Sequence, residues 1–244
     1  MDVRIIHFYP DLMNLYGSYA NVALLRRHLE DLGCGVRVDT VVPGQEADLS
    51  DADFLFMGAG TERSQLAALA DFRRFAPAVR AAAETGTVML FAGTAMELLG
   101  KTITAADGTV HEGIGLAEFT SVQGSRRIVE DVLGFTDLFE APVVGFINKC
   151  SRISGVTTPL LTRCTLGFGN EAAGGPEGYH SGNVFASELT GPLLVKNPLL
   201  LGAVIHALYQ RRGQPLPAEI PSYPFEERAY AVTAQQLGLR ASKP

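Results

Sequence analysis

Two rhythms of apolar residues alternate along the first hundred positions. "VRIIHFY" (3–9) and "GVRVDTVV" (35–42) read as strands, while "DFLFMGAG" (53–60) and "TVMLFAG" (87–93) are continuous apolar runs of the kind carried by a strand buried on both faces. Between them lie segments of helical period. "YANVALLRRHLEDLG" (19–33) puts Val22, Leu25, Leu29 and Leu32 on one face and closes on Gly33, and "LAALADFRRFAPAVRAAAE" (66–84) predicts a second helix kinked at Pro77. Strands separated by helices of this length predict a mostly parallel sheet flanked by helices, with ligands expected at the carboxyl ends of its strands. The glycine-rich turns at Gly58 and Gly93 would meet on that edge, across a crevice.

The second half changes rhythm. "KTITAADGTVHEG" (101–113) carries Asp107-Gly108 between strand-like flanks, a hairpin signal, and "RRIVEDVLGF", "APVVGFINK" and "GNVFASEL" are strand-like segments that predict antiparallel additions. Asn197-Pro198 predicts the cap and first turn of a helix over 199–211. "RGQPLPAEIPSYP" (212–224) is a proline-rich linker, and 225–239 has room for a last helix. The expected division is a main domain over 1–212 and a linker with a C-terminal helix and tail over 213–244, the latter contributing little to the core and serving for docking.

Composition narrows the function classes. A chain of 244 residues, 47% hydrophobic with 26 glycines, can bury one large α/β core. A formal charge of −6, with no run of basic residues beyond scattered pairs such as Arg26-Arg27 and Arg211-Arg212, argues against a nucleic-acid footprint. Three cysteines, Cys34, Cys150 and Cys164, are too few and too scattered for a disulfide framework or a zinc knuckle, and no metal or cofactor is expected. The start of the chain lacks a signal-peptide layout and the longest apolar stretch, from Asn197, is too short to span a bilayer. The expectation is a cytoplasmic protein without membrane insertion.

"LFAGTAMELLG" (90–100) is laid out like the approach to a catalytic nucleophile: buried strand, tight turn, first turn of a helix. Its apex is Gly93. Together with "YPDLMNLYGSYANVALLRRHLEDLG", "MGAGTERSQ", "VGFINK", "LGFGNEAAGGPEG" and "NVFASELTGPLLVKNP", it resembles, over nearly the whole chain, the glutamine-amidotransferase subunit of lipid II isoglutaminyl synthase, a cobyric-acid-synthase-like class I glutamine amidotransferase. The resemblance implies the flavodoxin-like class I fold. It also implies chemistry: a cysteine thiolate on the turn attacks the side-chain amide of glutamine, a histidine serves as base and acid, and backbone amides hold the oxyanion. A Mur-ligase-like ATP-dependent partner then uses the ammonia to convert the lipid II D-glutamate to D-isoglutamine.

Residue by residue, the resemblance exposes a departure. The nucleophile's cysteine falls on Gly93 and the base's histidine on Thr190, so both positions are vacant; a further family histidine falls on Lys149, with Ile147 in place of an acidic residue. The oxyanion turn reads Gly58-Ala59-Gly60-Thr61-Glu62 where the family has three glycines, and is expected still to present backbone amides. Arg127, next to Arg126, falls where an arginine would hold the glutamine carboxylate. Gly58, Ala59, Gly60, Thr61, Thr94, Glu97, Arg127 and Thr190 are therefore the expected pocket, for glutamine or a related small molecule. The expectation is a subunit without glutaminase activity of its own. Two alternatives stand beside it: an active glutaminase or amidase with an unconventional nucleophile such as Thr94, and a noncatalytic small-molecule sensor. Thr94 has a simpler reading as a helix cap, Cys150 beside Lys149 is the thiol whose pKa a cation could lower, and His180 is the histidine that could approach the site.

Overall fold

The apolar runs at 54–57 and 88–92 hide a strand period of two. In the computed structural model, which describes residues 1–242, they form β3 (Phe54–Met57) and β4 (Val88–Ala92), every residue of each buried. Leu55, Met57, Met89 and Phe91 pack to one side with Leu69, Phe72 and Val79, whereas Phe54, Phe56 and Leu90 pack to the other with Leu25, Leu29, Val204 and Leu208. Strands that bury both faces need helices on both, and this sequence supplies them. α2 (Glu62–Phe72) and α3 (Ala76–Glu84) cover the first side; α1 (Ala20–Asp31) and α5 (Pro198–Arg211) cover the second.

The first sheet runs in the order β10-β11-β4-β3-β1-β2, with β1 (Asp2–Phe8), β2 (Gly35–Val41), β3, β4 and β11 (Val184–Ser187) parallel and β10 (Tyr179–Ser181) antiparallel on the edge. The segment expected among the antiparallel additions, "GNVFASEL", thus joins the parallel sheet beside β4, because its four strand residues are all buried and need cover on both faces. The hairpin is formed by β5 (Thr102–Thr104) and β6 (Val110–Glu112). With β7 (Thr120–Phe135), β8 (Val143–Ser154) and β9 (Arg163–Leu166) it makes a second, mixed sheet of five strands.

Two local expectations are corrected. The helical stretch 66–84 begins earlier and breaks at a short 3-10 turn, Arg73–Phe75, and Pro77 does not kink a continuous helix but sits in the first turn of α3, where its missing N–H costs nothing. Asn197 does not cap α5 through its side chain. Its amide instead accepts from Val144 N (2.8 Å) and donates to Val144 O and Leu193 O (2.8 Å each), closing the free edge of β8. Asn197 stands between α4 (Leu193–Lys196) and α5.

After α5 the proline-rich segment runs back across α1, and α6 (Pro224–Ala241) lies on the second sheet, with Leu237 buried against Leu133 and Val144 and Tyr230 donating to Pro142 O at 2.7 Å. Phe225, Val232 and Leu239 of α6 face outward. The last two residues of the expected tail, 243 and 244, lie outside the described residues. Among the described residues no helix is long and apolar enough to cross a membrane.

The edge closure at Asn197 is testable. Asn197→Ala strips partners from the buried N–H and C=O of Val144, so the unfolding free energy from urea titration should fall by about 3 kcal/mol, and Asn197→Asp, which sets a buried carboxylate against the carbonyls of Val144 and Leu193, should fall at least as far.

Candidate functional site

β3 and β4 are parallel neighbours with Met57 opposite Phe91, so the turns that follow them, Gly58-Ala59-Gly60 and Gly93-Thr94, emerge side by side at the carboxyl edge of the sheet. Gly93 has φ +63°, a left-handed conformation that L side chains rarely adopt and that bends the chain from β4 into the 3-10 segment Gly93–Leu99. The elbow is therefore present in the backbone. Thr190 sits beside it, its N–H and hydroxyl both donating to Phe146 O (2.9 and 3.2 Å). The positions of nucleophile and base that the resemblance marks are adjacent in space.

What fills them is hydrocarbon. A Cβ carried at Gly93 would lie 2.5 Å from the Ala59 methyl and 3.0 Å from Thr190 Cγ2, closer than side-chain carbons pack. Gly93, Thr94 and Thr190 are buried, and the expected crevice between the two turns is instead a direct contact. Thr94 holds it shut: its hydroxyl accepts from Gly60 N at 2.9 Å and donates to Gly60 O at 3.0 Å. That hydroxyl does not cap the segment that follows, and its proton is committed to a carbonyl that is no base. The oxyanion expectation is corrected by the same bonds, since Ala59 N donates to Ser18 Oγ (3.1 Å) and Gly60 N to Thr94. Ser18 and Met13, from the opening "YPDLMNLYGSYAN" block, press so closely on Gly58 and Gly60 that neither position has room for a Cβ. Thr61 is separate from this packing; it caps α2 by accepting from Ser64 N at 3.1 Å.

Beneath the elbow lies a buried polar network that no sequence pattern announced. Glu97 accepts from Ser121 and, at 3.0 Å, faces Ser151 Oγ, which lies equally 3.0 Å from Glu188. One hydroxyl has one proton, so the bridge between two carboxyls closes only when one of them is protonated. Glu188 is ion-paired with Lys149, whose ammonium also donates to Gly169 O at 2.9 Å; both side chains are 2% exposed. Burial, reinforced by the charge of Glu188, pushes Glu97 up to about 7, and the same causes push Glu177 up to about 7 although Ser187 and Glu188 N donate to it. Glu188 is raised by burial, with Lys149 opposing.

At the surface, Arg127 is held 2.6 Å from Glu62 and donates to Asn148 Oδ1 at 3.0 Å, while Asn148 donates to Tyr16 Oη at 2.6 Å. Tyr16, at φ +59°, packs edge-on against Phe146. The arginine expected to hold a carboxylate is thus occupied by one from its own chain. Cys150 does not have a lowered pKa: burial and the adjacent Glu62 push it up to about 11, because Lys149 points the other way, into the core. His180 lies on the edge strand β10 with its ring against Phe185, and β11 stands between it and β4. Of the eight expected pocket residues, the structure brings Gly58, Ala59, Gly60, Thr94 and Thr190 together around Gly93, places Glu97 in the polar network and leaves Thr61 and Arg127 toward solvent. Among the described residues there is no cluster of three or more His, Cys, Asp or Glu that could hold a metal ion.

Comparison with known proteins identifies the fold and the family. Residues 4–198 match the CobB/CobQ-like glutamine amidotransferase domain. The chain is 29% identical over 220 residues to the lipid II isoglutaminyl synthase (glutamine-hydrolyzing) subunit GatD of Staphylococcus aureus, covering 90% of each chain. It is 30% identical over 225 residues to the corresponding subunit of Streptococcus pneumoniae, covering 91% of this chain and 85% of the relative. A crystal structure of a glutamine amidotransferase superposes with a TM-score of 0.54 at 16% identity, over 83% of this chain and 98% of the other, which speaks to the fold alone.

The network sets a pH dependence. A carboxyl at about 7 in the folded chain, against 4.5 ordinarily, binds more protons folded than unfolded between these values, so its contribution to stability is complete below about 4.5 and is lost as pH rises through about 7. His7, lowered by burial to about 4, acts oppositely below its ordinary value of 6.5, so a variant isolates the effect. Relative to wild type, Glu97→Gln should gain stability between pH 5 and 7 by up to about 1.4 kcal/mol per pH unit, as read from urea titrations across that range.

Proposed function

The chain belongs to the CobB/CobQ-like glutamine amidotransferase family, and from that premise we propose that it is an amidotransferase-like subunit that does not itself hydrolyse glutamine. Its task on this reading is to pair with a Mur-ligase-like ATP-dependent partner in the amidation of a peptidoglycan precursor, the lipid II D-glutamate becoming D-isoglutamine. The similarity to two lipid II isoglutaminyl synthase subunits over about nine-tenths of the chain supports the pathway. One observation carries the loss of glutaminase chemistry: the elbow apex is Gly93, and the space a nucleophile's Cβ needs belongs to the Ala59 methyl.

Amide hydrolysis by this fold takes an activated nucleophile, a base within hydrogen-bond reach and free donors for the oxyanion. Gly93 supplies no nucleophile, Thr190 no base, and the N–H groups of Ala59 and Gly60 are already bonded within the chain. Thr94 is no substitute. Activation needs a base to take its proton, and the hydroxyl donates to Gly60 O. The nitrogen for the partner's activated carboxylate then comes as free ammonia or from another amidotransferase.

The complex co-expressed with its partner tests this. Amidation of the precursor should proceed with ammonium salts and show no increase on adding glutamine, and wild-type chain should release no ammonia from glutamine above background. Glutamine-dependent amidation by the wild-type complex would overturn the reading. Among variants, Gly93→Cys/Thr190→His should stay near background because Ala59 obstructs the new side chain, whereas adding Ala59→Gly should raise ammonia release on the order of tenfold or more.

A further inference from the structure

The closed elbow leaves open a different cavity, whose lining includes none of Gly58, Gly93, Thr94 or Thr190. It lies between α5 and the proline-rich segment that straps back over α1, and encloses about 320 Å³. Its walls are apolar, formed by Phe139, Leu201, Ala203 and Ile220, and its floor is opened by Gly202, where an added Cβ would come 3.3 Å from Ile220 Cδ1. The size and the apolar lining are those of a small-molecule site.

The polar side chains of the cavity are two carboxylates, two imidazoles and the hydroxyls of Ser222 and Tyr223. Glu226 and Glu227, from the first turn of α6, line one side, and His28 and His206 line the other. No lysine or arginine is among the lining residues. His28 is the telling group: its side chain is 3% exposed, and neither ring nitrogen has a hydrogen-bond partner, the Glu226 carboxylate standing 3.5 Å from Nε2. Buried polar atoms in folded proteins are almost always paired, so an imidazole left unpaired in the wall of a cavity marks a place where a partner is missing. The wall beside it is rigid. Tyr223 packs edge-on against His28 at 4.7 Å, donates its hydroxyl to Asp31, accepts from Arg27 Nε at 3.0 Å and lies under the Arg27 guanidinium. Arg27 is thereby engaged by Tyr223 and is not among the cavity's lining residues.

We propose that this cavity is a binding site for a small amphipathic cation, an alkyl- or arylammonium whose apolar body fills the space over Gly202 and Ala203 and whose ammonium donates to Glu226, Glu227 and His28. The recognition follows from the lining: an anion would meet two carboxylates, and a neutral apolar molecule would leave the buried His28 imidazole unsatisfied. The site shares no residue with the expected glutaminase pocket.

Isothermal titration calorimetry on the full chain at pH 7.5 tests it with three isosteric probes, 2-phenylethylammonium, 2-phenylethanol and 3-phenylpropanoate, at up to about 10 mM, the range in which fragments of this size bind. The ammonium should bind with one-to-one stoichiometry and roughly tenfold more tightly than the alcohol, with no binding of the carboxylate. Glu226→Gln/Glu227→Gln should bring the ammonium down to the alcohol's affinity. Ala203→Leu, which fills the cavity, should abolish binding of both; if that variant does not fold, the glutamine pair on the helix surface carries the test. Equal affinity for the ammonium and the alcohol, preference for the carboxylate, no binding of any probe, or ammonium binding unchanged in the glutamine pair would each overturn the proposal.

Discussion

The contact between Ala59 and Gly93 governs the carboxyl edge of the first sheet. Two parallel neighbouring strands end in glycine-rich turns, and the turns touch because one has no side chain and the other has only a methyl. That approach lets the Thr94 hydroxyl bond both the N–H and the C=O of Gly60 and lets Ser18 reach Ala59 N, so every polar group named at the seam is satisfied without solvent or ligand. A larger residue at either position would part the turns and leave those groups unpaired. The left-handed φ of Gly93 makes the fit possible, and it is the conformation in which a nucleophile elbow would present its side chain.

Closing the site changes the chemistry around it. Lys149, where the resemblance places a histidine, is buried against Glu188, and Glu188 shares Ser151 with Glu97. Buried charges of this kind add stability only when each is paired, and here the one buried ammonium pairs with Glu188 while Glu97 and Glu177 have no cation in contact among the described residues. Protonation supplies what pairing cannot, which is why Glu97 and Glu177 titrate near neutrality. Arg127, drawn to Glu62 at the rim, follows the same logic of internal satisfaction.

Much of the fold was legible in the sequence because its signals are local. Continuous apolar runs marked β3 and β4, helical spacing marked α1, and Asp107-Gly108 marked the hairpin. The membership of β11 in the first sheet was not legible, since the pairing joins residues 89–92 to residues 184–187 and no local pattern distinguishes a parallel from an antiparallel neighbour. Of the candidate site, the vacancy at Gly93 and Thr190 could be read by matching blocks, whereas the closure could not. It depends on a methyl at Ala59 meeting a residue 34 positions later, and on a network assembled from Glu97, Ser121, Ser151 and Glu188, each unremarkable in its own segment. A glycine at the apex of the motif is visible in the sequence; the contact that fills the space beside it is visible only in the structure.

Covalent labelling separates a site that lacks a nucleophile from one that has no room for it. Gly93→Cys and Ala59→Gly/Gly93→Cys can each be incubated with a diazo-ketone analogue of glutamine and read by intact-mass spectrometry, with peptide mapping to position 93. If the Ala59 methyl is the barrier, the double variant takes up the label at the new thiol in competition with glutamine, and Gly93→Cys alone stays essentially unlabelled. Equal labelling of the two variants, or glutamine-competitive labelling of the wild-type chain at Thr94, would contradict it.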